Sequence, residues 1–474
     1  MLFNTLAYAQ FFAVVFVASW LLVRFRRARV AFLLLASYVF YAQWDYRFLA
    51  LIFGSSTLDF LLAGAIGRES DPRRRKRLLA LTVILNLGVL AFFKYANFGV
   101  ASLSAALAAL GYRPPSLALS VALPVGISFF TFESMSYVID VYRRQIQPHS
   151  SYLEYLTFVA FFPHLVAGPI VRPRDLLPQF ANPAQFSETA ATEGLFLIAV
   201  GLLKKVAIGD YLALNLVERV FGAPLGYSSL EVYAAVVGYA LQIYCDFSGY
   251  TDIAIGSALL LGVRFPKNFD APYSAVDIVD FWRRWHISLS TWLRDYLYIP
   301  LGGNRKGRLR TYVNLVVTML LGGLWHGANW TFVAWGALHG VALAATRACH
   351  EWRATRDQRL LPAPLARALG VLFTFHLVCA GWILFRAETF AKAQLLFQKL
   401  GEGTTYHGNL DARVLLILSL GFASHLVPDP LYSAAKHGFC RLPTAAQAAL
   451  LFGVLVLLKT VASADAVPFV YFQF

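Results

Sequence analysis

Charge is scarce in this chain of 474 residues. Only 14% of positions are Asp, Glu, Lys or Arg, where a soluble domain carries about a quarter. No hydrophilic stretch is long enough to fold as a soluble domain by itself. Acidic side chains are the scarcer sign, 26 against 41 Lys and Arg, which leaves a formal net charge of +15. The four cysteines (Cys245, Cys349, Cys379 and Cys440) are far apart, with no C-x-x-C pair and no histidine at finger spacing. That pattern excludes a zinc finger and predicts neither a structural disulfide nor a metal site. Also missing are a G-x-S-x-G elbow, a Walker loop and an HExxH pair, so serine-hydrolase chemistry by this chain alone is not expected.

What the chain has instead is apolar length: 58% of its residues are hydrophobic. Apolar runs occur at 6–23, 30–43, 48–66, 78–99, 117–139, 153–171, 191–212, 230–262, 311–345, 366–386, 412–427 and 446–464. Several exceed one crossing of about 20 residues, and others are broken by Pro124, Gly126, Pro163, Gly168 and Pro169. The predicted fold class is an all-α polytopic membrane protein with roughly eleven to thirteen transmembrane and re-entrant helices. It is read as a single domain over 1–474, with the core motifs in 120–345 and the C-terminal helices and aromatic tail in 366–474. Basic clusters at 24–29, 73–77, 143–144 and 304–310 each abut an apolar run, the positive-inside pattern. Nucleic-acid binding is the competing reading of such clusters. They are short and separated by spans, so the expected partner is membrane lipid and not nucleic acid. The first run precedes its arginines, the reverse of a secretory signal, and predicts an uncleaved span with the N-terminus outside the cytoplasm.

Ionisable groups at membrane depth are costly, about 2.5–3.5 kcal/mol on insertion scales, and are functional candidates for that reason. The densest set lies in 280–340. His326 follows the basic loop 304–310 by about fourteen residues of helix, roughly 20 Å inward. It reads equally as a general base or as a helix-packing histidine among Gly322, Gly323 and Gly327. His286, beside Arg283, Arg284 and Trp285, opens an amphipathic segment. That segment fits an interfacial helix or a phosphate-holding element whose arginines grip a cytosolic donor. Asp280 and Arg284 are spaced to pair on one helix. Glu133 and Asp140 share a helix face, and Asp246 and Asp252 flank 247–250. Such buried carboxylates are expected to pair with cations in a structural role. His339, His376 and His425 read as packing.

The runs 33–51, 86–99, FTFESMSYVIDVYR within 123–143, FFPHLVAGPIVRPRDLLPQF (161–180), YCDFSGYTDIAIG (244–256), FWRRWHISLSTWLRDYLYIPLGGNRKG (281–307), LLGGLWHGANWTFVAWGALHG (320–340), GWILFRA (381–387) and PFVYFQF (468–474) resemble the membrane-bound O-acyltransferase family. The likeness is to the branch typified by bacterial alginate O-acetyltransferases, and it covers nearly the whole chain in order. The resemblance implies helices ringed around a central funnel, with the histidine of the WHG motif, here His326, at its floor and that of the RWHxS motif, here His286, nearby. Trp325, Asn329, Arg283, Arg284 and Trp285 then fall on substrate or donor. Tyr471, in FVYFQF, resembles an acyl-accepting tyrosine; an interfacial aromatic anchor is the other reading.

The implied activity is an O-acetyltransferase of the bacterial inner membrane. It would carry acetyl from a cytoplasmic donor such as acetyl-CoA, a substrate and not a bound cofactor, to a periplasmic acceptor. The implied partner is an SGNH-type transferase within a polysaccharide biosynthesis complex, as in alginate. Peptidoglycan acetylation and teichoic-acid D-alanylation are neighbouring outcomes; D-alanylation would need a carrier protein. A proton-coupled transporter or flippase using His326, Glu133 and Asp140 is the alternative from a different class. A scaffold that only docks a periplasmic enzyme is a third.

Overall fold

A computed structural model describes residues 1–112, 121–166, 168–354, 361–462 and 467–470. Among these the regular structure is helical, with no strand. The chain forms two compact units, one from 1–191 with 257–265, the other from 192–256 with 266–474.

The first unit opens with α1 (Leu6–Leu21), α2 (Arg26–Asp45), α3 (Leu49–Arg68) and α4 (Pro72–Ala109). Asp71 caps α4 by accepting the Arg73 N–H at 2.9 Å, with Pro72 in its first turn, a start written in the sequence. Its 38 residues span about 57 Å, well beyond a hydrocarbon core of about 30 Å. The basic turn Arg73–Arg77 can therefore reach the headgroups while the apolar remainder crosses. The cluster at 24–29 divides differently. Arg29 is buried and donates to Ser19 Oγ (3.0 Å) and the Leu261 carbonyl (2.6 Å), and Arg26 pairs with Glu154. Half of that positive signal is thus internal glue.

Then come α5 (Ile127–Tyr142), α6 (Tyr152–Ala160), α7 (Phe162–Leu165) and α8 (Pro173–Ala181). The run 153–171 is cut where Pro163 and the Gly168-Pro169 pair stand, as a chain lacking backbone donors must be. Gly126 starts α5 at φ +76°, and a Cβ there would lie 2.6 Å from the Leu165 carbonyl oxygen. α5 is buried almost all round. Its Glu133 sits 2.8 Å from His164 Nδ1 and accepts the Val171 N–H at 3.1 Å. Asp140 is buried on the same helix. Both carboxylates that the transporter reading needs are therefore built into this unit.

The second unit takes most of α9 (Glu188–Leu202) and runs through π-helical turns at Leu203–Asp210 and Ala213–Val217. It continues with α10 (Glu218–Gly222) and most of α11 (Ser229–Leu260), then the short α12 (Ile278–Arg284) and α13 (Ile287–Leu293). Next are α14 (Arg308–His326), α15 (Trp330–Ala354), α16 (Ala363–Arg386), α17 (Phe390–Gly401), α18 (Ala412–His425), α19 (Asp429–Arg441) and α20 (Thr444–Val461). Five helical segments of the described residues are long and apolar enough to cross a membrane, or six if α18 and α19, bent by 92°, form one span. The apolar runs outnumber them because proline breaks and π-turns divide several runs into shorter helices. The result is an all-α, multi-pass membrane architecture.

Candidate active site

α14 ends on His326, the histidine of the WHG motif. Its 19 residues carry the chain about 28 Å from the basic loop to His326, where the Gly327 N–H closes the last turn on the Gly323 carbonyl at 3.3 Å. α15 returns alongside at very short range. A Cβ on Gly323 would lie 2.2 Å from the Phe332 carbonyl oxygen, and one on Gly336 would lie 2.4 Å from that of Met319. The glycines therefore set the approach that fixes His326 between helices. Its imidazole is 4% exposed. The ring lies 5.0 Å from Trp325, 5.0 Å from Trp335 and 5.2 Å from Phe385, all edge-on.

His286 is not on an interfacial surface. It is fully buried and begins α13 from a left-handed backbone (φ +43°), uncommon for a residue with a Cβ. Its Nδ1 accepts the Leu289 N–H at 3.2 Å, so that nitrogen must hold a lone pair. In the neutral ring the proton is then on Nε2, and Nε2 has no hydrogen-bond partner among the described residues. Burial pushes this imidazole down to about 3, so it remains neutral at physiological pH. It is therefore a ready donor and not a general base through that atom. The ring lies tilted against Phe247 (4.6 Å) and edge-on to Trp325 (6.2 Å). Trp325 thus touches both histidines.

Beside this stack is a cavity of about 610 Å³ lined by Trp282, Arg283, Arg294, Arg347, His350 and apolar side chains of α13, α14 and α15. Trp282 joins it to the histidines, since its ring meets Trp335 at 5.7 Å and Trp335 meets His326. Three guanidinium-bearing residues over an apolar floor suit a ligand with phosphates at one end and an uncharged arm.

The remaining predicted residues separate. Arg283 lines the cavity, whereas Arg284 is held by Asp280 (2.8 Å) and reaches the Asp270 carbonyl. Trp285 is enclosed, 5.7 Å from Phe281 and 5.0 Å from Trp382, and packs the floor of the unit. Asn329 caps α15, accepting the Thr331 N–H at 3.1 Å while donating to the Glu388 carbonyl at 2.8 Å. Tyr471 lies outside the described residues. Asp246 does pair with a cation, Lys205, at 2.5 Å. Lys205 also meets Asp210 at 2.7 Å, and Lys204 meets Asp252 at 2.7 Å. Sequence reasoning overlooked these lysines, although two cations inside the run 191–212 carry the same intramembrane signal that singled out His326. It also missed Arg347 and His350, which only the fold gathers with Arg283 and Arg294 around the cavity.

Residues 77–380 match the MBOAT, membrane-bound O-acyltransferase family. A probable alginate O-acetylase AlgI of Pseudomonas putida is 47% identical over 375 residues, 78% of this chain and 74% of that protein. The corresponding Pseudomonas aeruginosa protein is 44% identical over 397 residues, 83% and 74% of the two chains. A peptidoglycan O-acetyltransferase of Helicobacter pylori is 38% identical over 388 residues, 76% and 71%. A family match over more than half the chain, relatives aligned along most of their length, and a helical fold that buries the WHG histidine against its aromatic neighbours lead to one conclusion: this chain belongs to the membrane-bound O-acyltransferase family and is a multi-pass membrane O-acyltransferase.

Proposed function

We propose that the protein moves an acetyl group from acetyl-CoA on the cytoplasmic side of the bacterial inner membrane toward a periplasmic acceptor, for O-acetylation of an exopolysaccharide such as alginate. The N-terminus faces the periplasm, and an SGNH-type transferase of a polysaccharide biosynthesis complex receives the acetyl group. The observation that carries this reading is the continuous aromatic path from the arginine-lined cavity through Trp282 and Trp335 to His326, with the His286 donor on the other side of Trp325.

In this mechanism Arg283, Arg294 and Arg347 hold the donor phosphates and the apolar wall holds its arm. His326 takes the proton of the acceptor hydroxyl, from Tyr471 or from a partner's serine, as that oxygen attacks the thioester carbonyl. A phenol, with an ordinary pKa of about 10, needs such a base near neutrality. His286 Nε2–H donates to the oxyanion that forms. Collapse breaks the C–S bond and completes the C–O ester, and the proton on His326 leaves with the thiolate. The apolar surroundings keep water from the thioester.

Peptidoglycan acetylation is the second reading, supported by the 38% identity to the Helicobacter pylori enzyme. The test is acetyl content of secreted polymer and of cell wall in cells carrying wild type, His326→Ala or His326→Gln at matched membrane levels. Loss confined to the secreted polymer supports the first reading, and loss confined to the wall supports the second. Unchanged acetylation with failed polymer export would overturn both in favour of a transporter.

A further inference from the structure

Lys205 is buried, 1% exposed, in the π-helical turn Leu203–Asp210. An ammonium in that position is stable only when paired, and two carboxylates meet it, Asp210 at 2.7 Å and Asp246 at 2.5 Å. The π-turn, with the close contact of α9 and α11 just before it, is what brings them together. A Cβ on Gly201 would lie 2.6 Å from the Gly249 carbonyl oxygen. Lys205 meets Asp246 at Oδ1. The other oxygen, Oδ2, accepts the backbone N–H of Val470 at 2.6 Å.

That bond joins the C-terminal tail to the site. Phe469 and Val470 are buried, and the Phe469 ring lies 4.6 Å from Tyr250 and 5.5 Å from Phe247. Phe247 in turn packs against His286 at 4.6 Å. A tail of ordinary surface character would have no reason to place a backbone amide on a buried, lysine-compensated carboxylate. Resting on the acetyl-transfer reading above, we infer that Lys205, Asp210 and Asp246 form an anchor that seats the C-terminal tail beside His286 and so positions the acyl acceptor. Tyr471 follows Val470 directly in the sequence. Asp246 is a positioning residue in this scheme. Lys205 fixes its charge and orientation, and Asp210 supplies the second counter-charge that lets Oδ2 remain available to the tail.

Replacing Lys205 or Asp246 would leave a buried charge without its partner and risks the fold, so the test acts on the tail. Val470→Pro removes the one N–H that Asp246 accepts and leaves the three charged side chains in place. Val470→Ala keeps the N–H and is the reference. In full-length protein in detergent, hydrogen–deuterium exchange of the peptide containing residues 467–474 reports seating. Acetyl content of the cellular polymer reports transfer. The expected result is exchange at least about tenfold faster in Val470→Pro than in Val470→Ala, as loss of one hydrogen bond to a charged acceptor gives, with transfer lowered at least about fivefold. Equal exchange in the two variants, or faster exchange with equal transfer, overturns the anchor. Tyr471→Phe separates the two ideas. If Val470→Pro lowers transfer and Tyr471→Phe does not, the anchor stands and the tyrosine relay falls. If only Tyr471→Phe lowers it, the relay stands and the anchor falls.

Discussion

His286→Asn tests the division of labour between the two histidines. Asparagine tolerates left-handed backbone better than most residues, and its amide oxygen can accept the Leu289 N–H that Nδ1 accepts now. The cap and the φ of +43° therefore survive. What is lost is the ring volume between Phe247 and Trp325 and the Nε2–H donor. The volume term, a partial large-to-small change at a fully buried site, is worth about 1–2 kcal/mol. Loss of one oxyanion donor is worth about 10²–10³ in rate. Thermal unfolding of detergent-purified protein and acetyl transfer by the same preparation should then diverge, with a modest loss of stability and a large loss of turnover. The two should also differ in pH dependence. With the folded pKa near 3 and the unfolded one near 6.5, the unfolded chain binds the extra proton between those values. Wild-type stability therefore falls as pH drops through that window, by at most about 1.4 kcal/mol per pH unit from this group, and is unaffected by it above 6.5. His286→Asn should flatten that limb. Wild-type turnover in the variant, or a loss of turnover matched by the loss of folded protein, would refute the donor role.

Gly323→Ala should cost about 1–3 kcal/mol, since its Cβ would meet the Phe332 carbonyl oxygen at 2.2 Å, and should lower activity by moving His326. Gly453→Ala, whose Cβ meets nothing within 4 Å, should be tolerated in the same thermal assay. Arg283→Gln should raise the KM for the acetyl donor several-fold with little change in kcat. Arg284→Gln breaks the part-exposed pair with Asp280 and the longer bond to the Asp270 carbonyl and should change stability by about 1 kcal/mol with KM retained. Glu133→Gln should lower thermal stability by about 1–3 kcal/mol through its contact with His164, while transfer per folded molecule is preserved. Loss of transfer in a well-folded Glu133→Gln protein would restore the proton-relay reading.

The local features were legible where one residue decides the backbone. Pro163 and Gly168 mark the cuts in 153–171, whereas Asp71-Pro72, which starts α4, and Gly327, which ends α14 inside the run 311–345, were not read as boundaries. The Asp280–Arg284 pair followed from helical spacing alone. The features that escaped depend on contacts distant in sequence. The pattern RRWHIS reads as amphipathic, and nothing in it signals that Trp285 turns extended (φ −95°, ψ 128°) so that His286 can flip left-handed and become buried. Lys205 meets Asp246 only because the helix widens into a π-turn, which no hydrophobic period encodes. Arg347 and His350 are ordinary polar residues until α14 and α15 bring them, with Arg283 and Arg294, around one cavity.

The central claim is covalent acyl transfer with His326 as the base. The most direct measurement is single-turnover transfer from isotope-labelled acetyl-CoA to purified protein, alone and with an added SGNH-type transferase, followed by mass spectrometry of the acceptor. An alkali-labile acetyl ester is expected in wild type and should be lost in a well-folded His326→Gln. An acetyl ester formed at the wild-type rate by His326→Gln, or substrate flux across vesicles with no covalent product, would contradict it.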